Sequence, residues 1–346
     1  MPRAAERPIV PGGNVPLPMP AEFPLLAYAD GVMGALRQHV PKALGERDAE
    51  AIHQARVATR RMKAALDLLR PVLSEKRRRP LARVLRKLRR RLGPLRDADV
   101  MLEHLAEMHA SPKSAAAATW LADAVGSQRQ ALRDASERDA PSAEVLDRLA
   151  AWLPVRNEIA RARDATDPLI SESVHRQLDA FAQQAGRLAT PPADPAAEAQ
   201  NPHELRISGK ALRYTLEMAL VQGHALPKRV MKSFKQMQEL LGAWHDYVVL
   251  TDQALKSSLD LQLGHHDASR QEQVLDLARF TNRRAGQHLA AFRKLWSSTG
   301  EDVAAAIRAA IGPPTASGSG TDPGRNGSAA PAGPAVSPPA SPSAAS

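Results

Sequence analysis

The sequence predicts an all-α fold, and three observations carry that prediction. Apolar residues recur at helical spacing, and no stretch alternates with period two as a half-buried strand would. Aromatic residues make up only 3% of the 346 positions, so a core must be built from Leu, Ala, Val, Met and Ile; Ala lets helices approach and Leu fills the seams between them. Pro41, Pro71, Pro141 and Pro227 fall at the ends of periodic segments, where a missing N–H costs little.

Taken in order, residues 1–22 form a Pro- and Gly-rich leader, read as disordered, without the apolar stretch of a signal peptide. Helices are expected at about 23–39, 46–70, 77–92, 95–109, 115–138, 142–163 and 168–189. The stretch TPPADPAAEAQNP, residues 190–202, is an internal linker, and further helices are expected at 203–223, 228–242, 244–263, 270–298 and 301–311. The helical part therefore spans 23–312, in two halves, 23–189 and 203–312. Residues 313–346 hold no Leu, Ile or aromatic residue, cannot bury enough apolar surface to offset the entropy of ordering, and read as a disordered tail. No apolar run reaches the roughly 18 residues of a membrane span, so no membrane partner is expected. The chain has no cysteine, which excludes disulfides, Cys-ligated zinc and thiol catalysis and fits a reducing compartment.

The charge is concentrated. Between His53 and Arg96 there are sixteen Lys and Arg against two acids, Asp67 and Glu75, a local excess of +14 where the whole chain carries +10. So lopsided a segment points to a polyanion site; the plainer reading is a solvated basic face.

One pattern is written twice. AIHQARVATRRMKAAL places His53, Arg56, Arg60 and Lys63 at the spacing that NPHELRISGKALRYTLEMAL gives His203, Arg206, Lys210 and Arg213. At about 100° per residue, each set falls within a wedge of about 80°. The apolar residues, Ala58, Met62, Leu66 and Leu69 in one copy and Leu205, Leu212, Leu216 and Ala219 in the other, take the opposite side. Each helix thus presents a cationic rail about three turns long. Like charges at this spacing repel, so an elongated anion is the expected counter-charge, with Arg offering forked donors and Lys a point charge. Arg61 falls outside the wedge and reads as a solvated surface charge.

A second basic ladder follows in RPLARVLRKLRRRLG: Arg79, Arg83, Arg86 and Arg90, with Arg89 beside it, opposite a stripe of Leu81, Val84, Leu85, Leu88 and Leu92. The other half has only Lys228, Arg229, Lys232 and Lys235 at the matching place, so the first half is expected to supply more of the electrostatic affinity. The repeat continues: Leu92-Gly93 matches Leu241-Gly242, and Arg96-Asp97 matches His245-Asp246, 44 and 43 residues from histidine to aspartate. Each half therefore reads as a basic helix, a second helix, a Gly-marked turn and a third helix opened by Asp. Asp97 and Asp246 are read as helix caps that could also hold a rail arginine, structural roles set against catalysis as the alternative.

These segments, with LGPLRDADVMLEHL and FKQMQELLGAWHDYVVL, resemble the CHAD family, the conserved-histidine α-helical domain, over roughly residues 23–310. The resemblance implies two similar four-helix bundles about a pseudo-twofold axis with a basic channel between them. It also implies binding of linear inorganic polyphosphate, attachment to cytoplasmic polyphosphate granules and contact with granule proteins. His53, Arg56, Arg60, Lys63, His203, Arg206, Lys210 and Arg213 match the family's basic motifs, and Arg86, Arg89 and Lys235 match neighbouring basic helices. Gly209 departs from good helix chemistry, where Ala would be better by about 1 kcal/mol, and invites close approach of a helix or ligand.

Two other functions compete. A basic helical surface also suits a nucleic-acid backbone, yet from His53 to Arg96 there is no Phe, Tyr or Trp for single-strand stacking; duplex DNA stays open as a partner. A phosphohydrolase would want a carboxylate cluster for Mg²⁺, a phosphate-binding Gly loop or a positioned nucleophile, and no Walker A, HExxH or alternating-glutamate pattern is present. His265-His266 beside Asp267 reads as a surface loop. The expectation is a binding protein with no enzymatic activity, cofactor or metal.

Overall fold

Pro24 opens α1 (Pro24–Pro41) at a position that tolerates its missing N–H, and a π-helical turn over Lys42–Glu46 leads on to α2 (Ala49–Leu68). Asp48 caps α2 by accepting from the Ala51 N–H at 2.6 Å. Then come α3 (Glu75–Met108), α4 (Ala115–Glu137), α5 (Ser142–Arg148), α6 (Trp152–Arg161) and α7 (Thr166–Ala189). Asn201 caps α8 (Pro202–Val221), which α9 (Lys228–Gly264) and α10 (Ala268–Ile311) follow. The structure is a computed structural model that describes residues 23–46, 48–108, 115–137, 141–190, 201–264 and 267–313. All regular secondary structure among the described residues is helical, as the composition and periodicity predict. The leader, most of the 190–202 linker, His265-His266 and the tail beyond Pro313 lie outside the described residues.

The Gly-marked turns are not there. α3 runs unbroken through Leu92-Gly93-Pro94, and α9 runs unbroken through Gly242. Neither glycine has a positive φ; positive values occur instead at Gly223, φ 100°, after α8, and at Gly312, φ 76°, after α10. The reason is continuity of the apolar stripe. Leu81, Leu85, Leu88, Leu92 and Leu95 are all buried, so ending the helix at Gly93 would break a face already committed to the core. Asp97 and Asp246 therefore lie in mid-helix and cap nothing. α10 likewise spans the break expected near residue 300. The helix expected at 142–163 is instead divided into α5 and α6 by a 3₁₀ turn at Leu149–Ala151.

The helix pairing repeats along the chain: α1 packs on α2 and α3 on α4, then α7 on α8 and α9 on α10, with α2 against α8. The apolar cores do not divide at the boundary between the halves. One joins α1, α2, α5 to α8, the first part of α3 and α9 and the last part of α10. The other joins α4 to the last part of α3 and α9 and the first part of α10. The long helices α3 and α9 pass from one core to the other. On α3 the change falls between Leu95 and Ala98, and on α9 between Leu241 and Tyr247. The matched pairs Arg96-Asp97 and His245-Asp246 occupy those intervals, so the polar residues of the repeat mark the seam between two cores.

Close approach explains Gly209. A Cβ there would lie 2.9 Å from Phe181 Cε2, so the neighbour it admits is the α7 ring. Arg61 is not a solvated charge: its Nε donates to Glu217 Oε2 at 2.8 Å. Arg213 Nε donates to Glu217 Oε1 at 3.2 Å and the Tyr28 hydroxyl to Oε2 at 3.5 Å, so one carboxylate joins α1, α2 and α8. Burial first, then Glu217, raises the Tyr28 hydroxyl above its ordinary range. Glu217→Gln is expected to cost about 2 kcal/mol, because the half-buried Arg61 loses its counter-charge; a denaturant melt measures it.

Candidate functional site

The rails of α2 and α8 meet at the seam. His53, Arg56 and Arg60 from α2 and Arg206 and Lys210 from α8 line one cavity of about 180 Å³. Arg96 and Asp97 from α3 and His245 and Asp246 from α9 complete it, with Val57, Val100, Met101 and Val249 between them. Arg56 Nη2 is 3.7 Å from Asp97 Oδ1, and a Cβ at Gly93 would lie 3.1 Å from Arg56 Nη1. Gly93 is thus the space through which the guanidinium passes. Of the two structural roles read for Asp97, holding a rail arginine is the one the geometry carries. Asp246 attracts Arg206 at longer range, without an ion pair, and the Arg206 Nε is buried without a hydrogen-bond partner among the described residues.

Crowded cations lose charge. Burial, then repulsion from Arg206 and Arg60, lowers the Lys210 ammonium to about 7. Arg56 falls to about 10 through burial and Arg60. His245 falls to about 4 through burial and Arg206. His53 is lowered by burial and then by Arg96, which disfavours its charged form. Asp246 is raised, because burial outweighs the pull of Arg206. The cavity therefore holds more cationic groups than it can keep comfortably protonated, and an entering anion would restore them.

A second, basic groove continues along α2 and α3. Lys63, Arg78, Arg79, Arg83, Arg86 and Arg89 line about 310 Å³ with Asp67, Thr59, Leu66, Ala82 and Leu85. Lys63 is paired with Asp67 and Arg79 with Glu75 at 2.9 Å. Arg213 is tied to Glu217, its guanidinium 5.8 Å from the Tyr214 ring centroid. The last cation of each rail thus has its own acid four residues on, and the central ones do not.

The remaining candidates stand apart. Arg90 is on the other flank of α3, in a cleft with Lys87, Arg91 and Arg148. Lys232 and Lys235 are exposed on α9, with Lys235 3.4 Å from Glu239, and neither lines the cavity. His203 is exposed, its ring 5.1 Å from that of His245. Arg96 and His245 were not among the expected site residues. Their signal was the repeat itself, which sets them at equivalent places one residue before the matched aspartates.

Two basic helices from matched halves, facing each other at the seam of an all-helical fold, define the class. A CHAD domain model matches residues 27–255, and the chain belongs to the CHAD domain family. Among solved structures, the CHAD domain from the plant Ricinus communis is similar, with 22% identity, TM-score 0.52, and coverage of 83% of this chain and 90% of that one. PptA from Streptomyces chartreusis gives 16% identity, TM-score 0.48, and coverage of 78% and 99%. A comparison with curated proteins finds no match. Among the described residues, no helix is long and apolar enough to cross a membrane.

Proposed function

We propose that the protein binds linear inorganic polyphosphate without turning it over, and that this attaches it to cytoplasmic polyphosphate granules. The observation that supports the reading is the convergence of His53, Arg56 and Arg60 with Arg206 and Lys210 on one cavity. A ligand held there meets both rails at once, and a chain leaving it along α2 and α3 meets Lys63, Arg86 and Arg89 next. An anion with charges at every few ångströms can use all of these. Pyrophosphate can use one subsite, so it gains nothing from the effective concentration that the first contact gives the second.

Long polyphosphate is expected to bind at least about 100-fold more tightly than pyrophosphate, with affinity falling steeply between 50 and 200 mM salt as counterion release predicts. Fluorescence anisotropy with long chains, pyrophosphate and duplex DNA at both salts checks this. Equal affinity for pyrophosphate and long chains would remove the reading, and displacement of polyphosphate by equal phosphate equivalents of DNA would replace it with nucleic-acid binding. Phosphate release from polyphosphate by the purified protein, abolished by a point mutation in the cavity, would make it an enzyme.

A further inference from the structure

The basic residues of α3 do not serve one surface. Arg78, Arg86 and Arg89 face the inner groove, whereas Lys87, Arg90 and Arg91 face an outer cleft; the centres of the two sets lie about 140° apart around the helix, with Arg79 and Arg83 of the groove on the crest between them. The buried stripe Leu81-Leu85-Leu88-Leu92 holds α3 in the core between them. The outer cleft is the larger, about 580 Å³ against 310 Å³, and Arg148 of α5 closes its far side. Among the described residues, no carboxylate lines it. Glu144 pairs with Arg148, but Lys87 and Arg90 have no ion-pair partner among the described residues.

The chemistry of its ligand follows from what the cleft lacks. Its floor is Val84, Leu88 and Val145; Leu88 is 3% exposed and Val145 9%, because both belong to the core, so the apolar surface it offers is chiefly the partly buried Val84. An amphipathic acidic peptide would find little apolar surface to bury there. A single phosphate would gain little from exposed cations in water. A polyanion gains from every cation it neutralises, through released counterions, and needs no apolar floor.

We propose that the outer cleft is a second polyphosphate face, holding a different chain from the one in the cavity, so that one protein molecule bridges two chains. This rests on the function proposed above. A chain lying in the inner groove runs with α3 and leaves the outer flank to solvent, open to the next chain. Bridging of this kind draws chains together, which a granule-bound protein can use and a single-site binder cannot.

The test uses the full chain with two preparations of long polyphosphate, one carrying a donor fluorophore and one an acceptor. The wild-type protein, at low ratio to chains, is expected to bring donor and acceptor together. Lys87→Glu with Arg148→Gln, both exposed positions, is expected to leave affinity for a single labelled chain within about twofold and to lower energy transfer at least about tenfold, with an unchanged thermal melt. Undiminished transfer in the variant overturns the proposal. A parallel fall in single-chain affinity also overturns it, because one chain would then wrap both flanks. Failure of the wild-type protein to bind a single chain would instead sink the proposed function itself.

Discussion

Arg60→Ala combined with Lys210→Ala is expected to lower affinity for long polyphosphate by about 3–6 kcal/mol, taking each charge-assisted contact as about 1.5–3 kcal/mol. That is on the order of 10²–10⁴-fold. These two residues come from different rails and line the same cavity, and neither has an acid on the next turn of its own helix. Lys63→Ala combined with Arg213→Ala removes the same formal charge, but Asp67 and Glu217 already pair with those side chains. The expected loss there is about 1 kcal/mol. The central pair should also hold or raise the melting temperature, since Arg206, Arg60 and Arg56 all repel Lys210 in the free protein. Calorimetric titration of both double variants, with melts alongside, decides the point. A larger loss from the Lys63 and Arg213 pair would place the polyanion outside the cavity. Arg56 is a less clean probe, because its removal leaves Asp97 facing the ligand.

The rails were legible because helical periodicity and charge coincide in them: a stripe of Met62, Leu66 and Leu69 fixes which way Arg56 and Arg60 point. Their meeting was legible only as an implication of the repeat and the family resemblance. The turn at Gly93 was misread for a physical reason. Gly-Pro is a strong local stop signal, yet Leu92 and Leu95 on either side are both needed by the core, and tertiary packing overrode the local preference. That error hid the site's acids. An aspartate believed to cap a helix has its carboxylate occupied, whereas one in mid-helix at the seam of two cores faces whatever the seam holds. Arg61 was misjudged because its partner Glu217 lies 156 residues away, beyond any helical wheel. Arg90 was placed with the rail because it lies on the solvent crest of α3; only the packing of α5 shows which flank it serves.

Lys210 should make binding sensitive to pH in a window where few side chains titrate. Its folded value of about 7 lies below the ordinary 10.5, so the unfolded chain binds more protons between those limits. Stability of the free protein should therefore rise as pH rises from about 7 towards 10.5, and this part of it is absent below 7. Ligand binding has the opposite sign. A polyanion favours the charged ammonium, so binding above pH 7 takes up a proton, and affinity should fall by up to about tenfold per pH unit. The other groups facing the cavity do not compete for this assignment. His245 on α9, at about 4, and His53 on α2, also lowered, are neutral throughout the window. Arg56 stays charged until about 10. Burial lowers the Arg206 guanidinium and raises the Asp246 carboxyl from their ordinary ranges. Lys210→Arg keeps a cation at the position and removes the titration, so it should flatten the profile between pH 7 and 9. Binding enthalpy measured in buffers of different ionisation heat should lose its buffer dependence in that variant. An unchanged slope in Lys210→Arg would assign the proton to another group and detach the lysine from the bound chain.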